Sequence, residues 1–457
     1  MRTIIKQTAG YLLLAAIMLP LISNAQTKTE DETFGYGNPT FWRPYSQNGI
    51  GVFETTKADT SVKYTGKKIR FGAGFTQQYQ SIQHENTLST IKTANTGRLF
   101  KLQPGLMTAQ ANLFIDAQLA DGITLNVTNY MSARHHNEFW VKGGYLQIDK
   151  LPFKGEFWDN LMKYATIKAG HFEVNYGDAH FRRPDGGNTL QSPFMEGNIM
   201  DAFATEVGGE IYLQNNGLFG MLGFTNGMIK GHVDSTFVTI QDANVKRNPS
   251  LILKGGIDKQ INEDVRLRFS ASMYTNSSNA GSGLTLYSGD RTGSNYQNVM
   301  EVGQDAAGVA KAYTAMMSSG RYNPGFSKKI TAVMFNGFAK VRGFETFLTY
   351  ETAKGRSKTE TTERTANQFA LEGLYRFGAN EKFYIGAKYN TVSNKPSAAY
   401  TNDITVNRTV IGGGYFITKN VLMKAEYVNQ EYKDFLSTDY RAGGKFKGFV
   451  IEAVVGF

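Results

Sequence analysis

Arg182 and Arg183 stand side by side in a polar stretch that begins at Gly177 and runs through Asp185 and Glu196 to Asn198. A guanidinium keeps its charge at every accessible pH and offers a rigid fork of donors. An adjacent pair in a confined aqueous space therefore attracts anions and repels cations. The competing reading is that one of the two pairs with Asp178, Asp185 or Glu196 and only shapes the loop. The six histidines are His84, His135, His136, His171, His180 and His232. His171 and His180 bracket the start of this stretch, but no Ser or paired carboxylate stands at a spacing that nucleophilic or acid–base catalysis requires. His135 and His136 are adjacent, and neighbours in a strand face opposite ways, so they do not chelate together. The residues give no expectation of an enzyme, a metal site or a cofactor. Tyr287, Tyr296, Tyr313 and Tyr322 offer ring faces for sugars, or packing material for a loop.

The elements that must position these groups are strands. The chain ends in Phe449–Phe457, where Phe449, Ile451, Ala453, Val455 and Phe457 share one face and Glu452 and Gly456 the other. This period of two recurs. Ile69, Phe71, Ala73 and Phe75 alternate with Arg70, Gly72 and Gly74. Leu113 and Ile115 alternate with Asn112 and Asp116, and Leu267 and Phe269 with Arg266 and Arg268. Ile385 and Ala387 alternate with Lys388, and Met423 and Ala425 with Lys424 and Glu426. Such segments, apolar on one face and polar on the other, suit strands with lipid outside and water inside. Together with less regular stretches, including the one that carries Arg376, they number about sixteen, and an even number is what a closed antiparallel barrel requires. The expected fold is all-β, a transmembrane antiparallel barrel. Arg70, Asp116, Arg266, Arg268, Arg376, Lys388 and Lys424 are its expected lumen-wall charges. Acidic partners on the same face are of similar number, so any net selectivity falls to charges at the narrowest point.

The connections have two lengths. Asp121-Gly122, Asn215-Asn216-Gly217, 262–264, Val341-Arg342, 378–380 and 418–420 are short and rich in turn-forming residues. Between them lie long polar connections at 80–105, 177–202, 231–250, 276–327, 355–367, 393–405 and 433–445. Short turns on one side and long loops on the other are the plan of an outer-membrane barrel, with the short turns in the periplasm. One short-side connection, Leu151–Lys163, is longer, and its Phe157, Trp158, Leu161 and Met162 fit a short interfacial helix.

Residues 1–25 read as a secretory signal. Arg2 and Lys6 precede the apolar run 11–22, and Ser23 and Ala25 stand where a signal peptidase needs small side chains. Residues 26–66 are a pre-barrel segment with little alternation, and 67–457 are the barrel, with 177–202 as its constriction loop. Cys is absent, so an exported chain of this size has no disulfide to lean on. The net charge of +10 falls by two with the signal. In an exported protein that balance points to anionic lipopolysaccharide or anionic solutes, and not to nucleic acid. A mean hydropathy of −0.34 is compatible with a barrel, because only alternate strand residues meet lipid.

Two resemblances follow. The alternating strand that closes the chain on Phe457 resembles the sorting signal of bacterial outer-membrane barrels, which implies recognition by the outer-membrane assembly machinery. The strand Ile167–Gly177, the loop after it and Phe194-Met195-Glu196 resemble the phosphate-selective porin O/P family over roughly 164–196. That implies a passive porin for small hydrophilic solutes in the outer membrane of a Gram-negative bacterium, and the Arg182–Arg183 pair adds the expectation of a mild preference for anionic ones. It also implies a homotrimer, with the third loop constricting the pore around Arg182, Arg183, Asp185 and Glu196. The family's basic ladder is not evident here, so selectivity for phosphate does not carry over. A barrel serving as a secretion or assembly scaffold, or as a surface adhesin, is the alternative.

Overall fold

Side chains that alternate between apolar and polar along an extended chain can satisfy both lipid and water only if the strands close on themselves, because an open edge would leave backbone donors and acceptors unpaired in lipid. This is the arrangement found. The computed structural model describes residues 43–57, 64, 66–90, 97–132, 138–184, 187–229, 246–278, 283–304, 308–312 and 318–457. The signal segment, Asp185, His135, His136, His232 and Tyr313 lie outside them.

The strands are β1 (Lys68–Glu85), β2 (Gln110–Ala120), β3 (Ile123–Ser132), β4 (Glu138–Ile148), β5 (Ala165–Glu173), β6 (Thr205–Asn215), β7 (Leu218–Thr225) and β8 (Ser250–Gln260). They continue as β9 (Val265–Asn276), β10 (Lys329–Val341), β11 (Phe344–Arg356), β12 (Arg364–Phe377), β13 (Phe383–Asn394), β14 (Ile404–Thr418), β15 (Val421–Lys433) and β16 (Lys445–Gly456). A two-residue piece, Gly105–Leu106, pairs with Tyr79 and Gln80 and is the broken start of β2. Each strand pairs antiparallel with its neighbours in sequence, and β16 pairs back on β1 from Gly74↔Gly456 to Glu85↔Lys445. The sheet is therefore a closed barrel of sixteen strands. β1 runs nine residues beyond the segment read from alternation, which ended at Thr76, because Gln78, Gln80 and Ile82 still point inward there.

The outer face is apolar. Phe71, Leu213, Phe224, Leu267, Phe269, Ile385, Ile411 and Phe449 are among its exposed side chains. Leu267 and Phe269 point out, and Arg266 and Arg268 point into the barrel, where they pair with Asp258. The short connections gather at one rim. In the β6–β7 turn Asn216 and Gly217 both take positive φ (47° and 81°), the backbone sign that favours Asn and Gly. The longest connection on that rim carries α1 (Glu156–Met162), whose Phe157 and Trp158 are exposed and in ring contact.

Inside, the barrel is largely filled. Among the described residues, three segments enter it. Residues 43–57 lie at the short-turn rim: the Gln47 amide donates to Lys419 O (2.7 Å), and Lys57 reaches the carbonyls of Met162 and Ala165. The connection after β5 folds inward. The connection between β9 and β10 also folds inward, where the sequence suggested only a long polar loop. Phe203 N donates to Leu286 O (2.6 Å) and Tyr322 N to Ile199 O (2.8 Å), so these two loops brace each other. They bury Phe194, Met195, Ile199, Leu286, Tyr296 and Val299 against inward-facing Ile330, Ile404, Val406 and Phe446 of the wall. Those inward apolar residues explain why β10 and β14 alternate poorly in the sequence: near the long-loop rim they face packed loop, not water.

Candidate functional site in the barrel lumen

The lumen is a set of ion pairs. On the wall, Arg70 pairs with Asp116 (3.0 Å) and lies over the Tyr45 ring; Asp116 also accepts from Tyr45 Oη (3.3 Å) and Asn126. Arg376 pairs with Glu345 (2.8 Å), Lys388 with Glu372 (3.1 Å) and Lys424 with Glu452 (2.5 Å). Arg266 bonds both oxygens of Asp258 (2.9 and 2.8 Å). Arg268 donates to both oxygens of Asp178 (2.8 Å each), to Glu54 (2.5 Å) and to Asp258 (3.2 Å), and lies between the rings of Phe53 and Phe219. Lys254 completes this cluster with Glu54 and Asp178 (2.7 Å each). Three cations here face three carboxylates, and two of the six groups, Glu54 and Asp178, come from segments that enter the barrel rather than from its wall.

The arginines singled out in the sequence sit inside this network. Arg182, on a short 3-10 turn (Ala179–Arg182), donates to Glu345 (2.8 Å) on β11 and Glu372 (3.1 Å) on β12. Arg183 makes a two-pronged pair with Asp201 (2.7 Å each) of its own loop and covers the Phe203 ring. Glu196 accepts from Arg321 (2.9 and 2.5 Å), Ser294 Oγ and Asn295 N (2.8 Å each), all from the second inward loop. Both guanidiniums are thus held by the carboxylates of Glu345, Glu372 and Asp201, which the competing reading did not name; Asp185, which it did name, lies outside the described residues. Those partners, Glu345, Glu372 and Asp201, lie 18 to 190 residues away in sequence. Local spacing cannot reveal such pairs.

Tyr287 and Tyr296 donate to Glu351 (2.6 Å) and Glu426 (2.5 Å), and Tyr322 bonds Asn394. Their hydroxyls are committed to the wall, so they pack the loop and do not offer open ring faces. His180 Nε2 bonds Asn175 Oδ1 (2.8 Å). Lys254 donates to the same oxygen (2.7 Å), so that oxygen is an acceptor and the imidazole nitrogen must be the donor. Burial and then Lys254 push the His180 ring well below its ordinary value. His171 lies on β5, and its Nε2 has no hydrogen-bond partner among the described residues. Among the described residues no cluster of His, Asp or Glu could hold a metal ion.

Open space remains along one side. A cavity of about 290 Å³ runs inside β2–β6, from Thr166 and Gln214 near the short-turn rim to Lys142, Glu173 and Thr205 near the long-loop rim. A second, of about 800 Å³, opens at the short-turn rim between Lys57, Gln214, Asn216 and Arg266. Both are lined by Phe53, Glu54, Thr55 and Gln214, so the inward N-terminal segment is the partition between them. The sequence left the place of this segment open.

No protein-family model and no curated protein sequence matches the chain. Solved structures do. The outer-membrane channel DcaP of Acinetobacter baumannii superposes with a TM-score of 0.50 at 10% identity, covering 86% of this chain and 99% of that one. The chain has the fold of outer-membrane porins. OmpT of Vibrio cholerae (TM-score 0.49, 11% identity, 87% of this chain and 99% of that one) is also similar. So is an anion-selective porin from Comamonas acidovorans (0.46, 9%, 86% and 100%). None of them singles out the phosphate-selective O/P subgroup within the porin fold.

Proposed function

We propose that this protein is a channel by which small hydrophilic solutes diffuse across the outer membrane of a Gram-negative bacterium. The observation that carries this is the pair of adjoining cavities, polar and charged on their walls, inside a closed barrel whose outside is apolar. A barrel of this build presents lipid with apolar side chains while its lumen stays wet on the β2–β6 side. The inward loops fill the opposite side, so the open space is off-centre. Its partners on this reading are the bilayer with its lipopolysaccharide, the assembly machinery that recognises the strand ending on Phe457, and two further copies in a homotrimer. Purified protein in a planar bilayer should give stable open steps, and cross-linking in mild detergent should stop at three subunits. A folded, heat-modifiable barrel that never conducts would favour the scaffold or adhesin instead.

A further inference from the structure

We propose that residues 43–57 are a gate. Seated in the lumen they close the way between the two cavities, and their withdrawal through the short-turn rim opens it. The proposal rests on the channel reading and adds to it the element that controls passage.

The segment stands where the cavities meet. Phe53, Glu54 and Thr55 line both. Phe53 is 2% exposed. Its ring lies against Phe338 on β10 (5.3 Å), Phe347 on β11 (6.5 Å) and Phe181 of the inward loop after β5 (5.8 Å), with the Arg268 guanidinium over it (4.3 Å). Glu54 meets Lys254 on β8 (2.7 Å), Arg268 on β9 (2.5 Å) and Asn175 of that same loop (3.1 Å). The two residues thus bridge from the wall to the inward loop. A solute leaving the inner cavity for the short-turn rim meets this bridge.

What holds the segment is of a kind that can let go. The sixteen strands are joined by continuous ladders, and the segment by none. Among the described residues, its one backbone-to-backbone bond to the barrel runs from Gln47 N to Lys419 O (2.7 Å). Its 3-10 turn, Gln47–Gly49, closes on itself through Gly49 N to Ser46 O (2.9 Å) and Ile50 N to Gln47 O (3.0 Å). The other ties are made by single side chains. Besides Phe53 and Glu54, the Gln47 side chain donates to Asn380 O (2.8 Å), Gln191 donates to Ser46 O (3.2 Å), and Lys57 reaches the carbonyls of Met162 and Ala165. Backbone without a ladder opens at less cost than the sheet around it. Lys419 and Asn380 belong to short turns, so the segment hangs from the rim through which it leaves, and the cavity of about 800 Å³ already opens there. When Glu54 goes, Lys254 and Arg268 keep Asp178 (2.7 and 2.8 Å), so the wall retains ion pairs of its own.

The chain has no Cys, so Phe53→Cys puts a single thiol on the seated segment. The test records the full-length variant in planar bilayers, with a bulky water-soluble thiosulfonate reagent added on the short-turn side. The thiolate attacks the reagent's sulfenyl sulfur, a mixed disulfide forms and a sulfinate leaves. The adduct is too large for the niche that Phe53 filled, so the segment cannot reseat. The conductance step should grow and stay large, and dithiothreitol should return it to its starting size. Gln47→Ala, a change at the exposed rim that spares the interior, should without any reagent spend more time in the large step than wild type does. It keeps the test open where Phe53→Cys lowers the yield of folded barrel. A silent wild type beside variants that conduct would support the gate in its strictest form. Steps that reagent and Gln47→Ala leave unchanged, or that the adduct makes smaller, overturn the gate and leave the channel reading standing. Wild type and variants that never conduct, with or without reagent, overturn both.

Discussion

Replacing Arg268 by Ser removes a side chain only 1% exposed that contacts three carboxylates. Seen from the sequence alone, a lumen arginine facing water would be nearly dispensable for folding. The structure puts it in a balanced cluster of Arg266, Arg268 and Lys254 against Glu54, Asp178 and Asp258, buried at Arg268, Lys254, Glu54 and Asp178 and open to the rim cavity at Arg266 and Asp258. Losing Arg268 leaves one uncompensated negative charge. Breaking a buried pair by removing one partner costs about 3–5 kcal/mol. Lys254 remains within 2.7 Å of Glu54 and Asp178 and pulls the figure toward the lower end. The lost stacking on Phe53 and Phe219 adds roughly 0.5–1 kcal/mol for each ring. We expect about 4 kcal/mol in all, read by urea unfolding of the barrel in lipid vesicles with tryptophan fluorescence. Residues 43–57 should also become open to protease, because Glu54 anchors them through this cluster. Arg268→Ser/Asp178→Asn restores the balance of charge and should recover about 1–2 kcal/mol. A loss below about 0.5 kcal/mol for Arg268→Ser, the range of ordinary surface changes, would refute the reasoning and mean that the cluster is hydrated.

The outward face gives a gradient. Phe269→Arg, near the middle of β9, should cost about 2–4 kcal/mol in the same unfolding assay, and Leu267→Arg, two residues from its short-turn end, about 0–1 kcal/mol. Equal costs at both positions would place the bilayer elsewhere on the strand. Arg182→Glu/Arg183→Glu sets new carboxylates against Glu345, Glu372 and Asp201, so little folded, heat-modifiable barrel should form; normal yield with a shifted reversal potential would show the pair lining the pore instead. Deleting Phe457, whose amide and carbonyl bond Ala73 (3.0 and 2.8 Å), should lower outer-membrane assembly, and unchanged levels of heat-modifiable protein would count against its sorting role. Burial would raise the carboxyls of Glu54 and Asp178, but Lys254 and Arg268 outweigh it and hold both below their ordinary 4.5 and 3.8. A depressed folded value stabilises fully above the unfolded value and is lost as pH falls through the folded one. Protease resistance of residues 43–57 should therefore be flat from about pH 8 to 5 and decline only below about pH 4; release already at pH 6 would contradict it.

All sixteen strands were legible in the sequence because the signal is local. Lipid on one side and water on the other impose a period of two, and a one-residue slip would turn every apolar side chain inward. Turn residues such as Asn216-Gly217 declare themselves for the same local reason, through the sign of φ. Leu267 and Phe269 against Arg266 and Arg268 needed nothing more than that alternation. What fills the lumen was not legible. Whether residues 43–57 and the loop between β9 and β10 hang in solvent or fold inward depends on pairings such as Glu54 with Arg268, or Ser294 with Glu196, which span 98 to 214 positions of chain. A charge carries no mark of which distant charge it will meet. So the sequence picked out Arg182 and Arg183 by their adjacency, and only the closed barrel, by bringing Glu345, Glu372 and Asp201 onto them, decided that they would be neutralised.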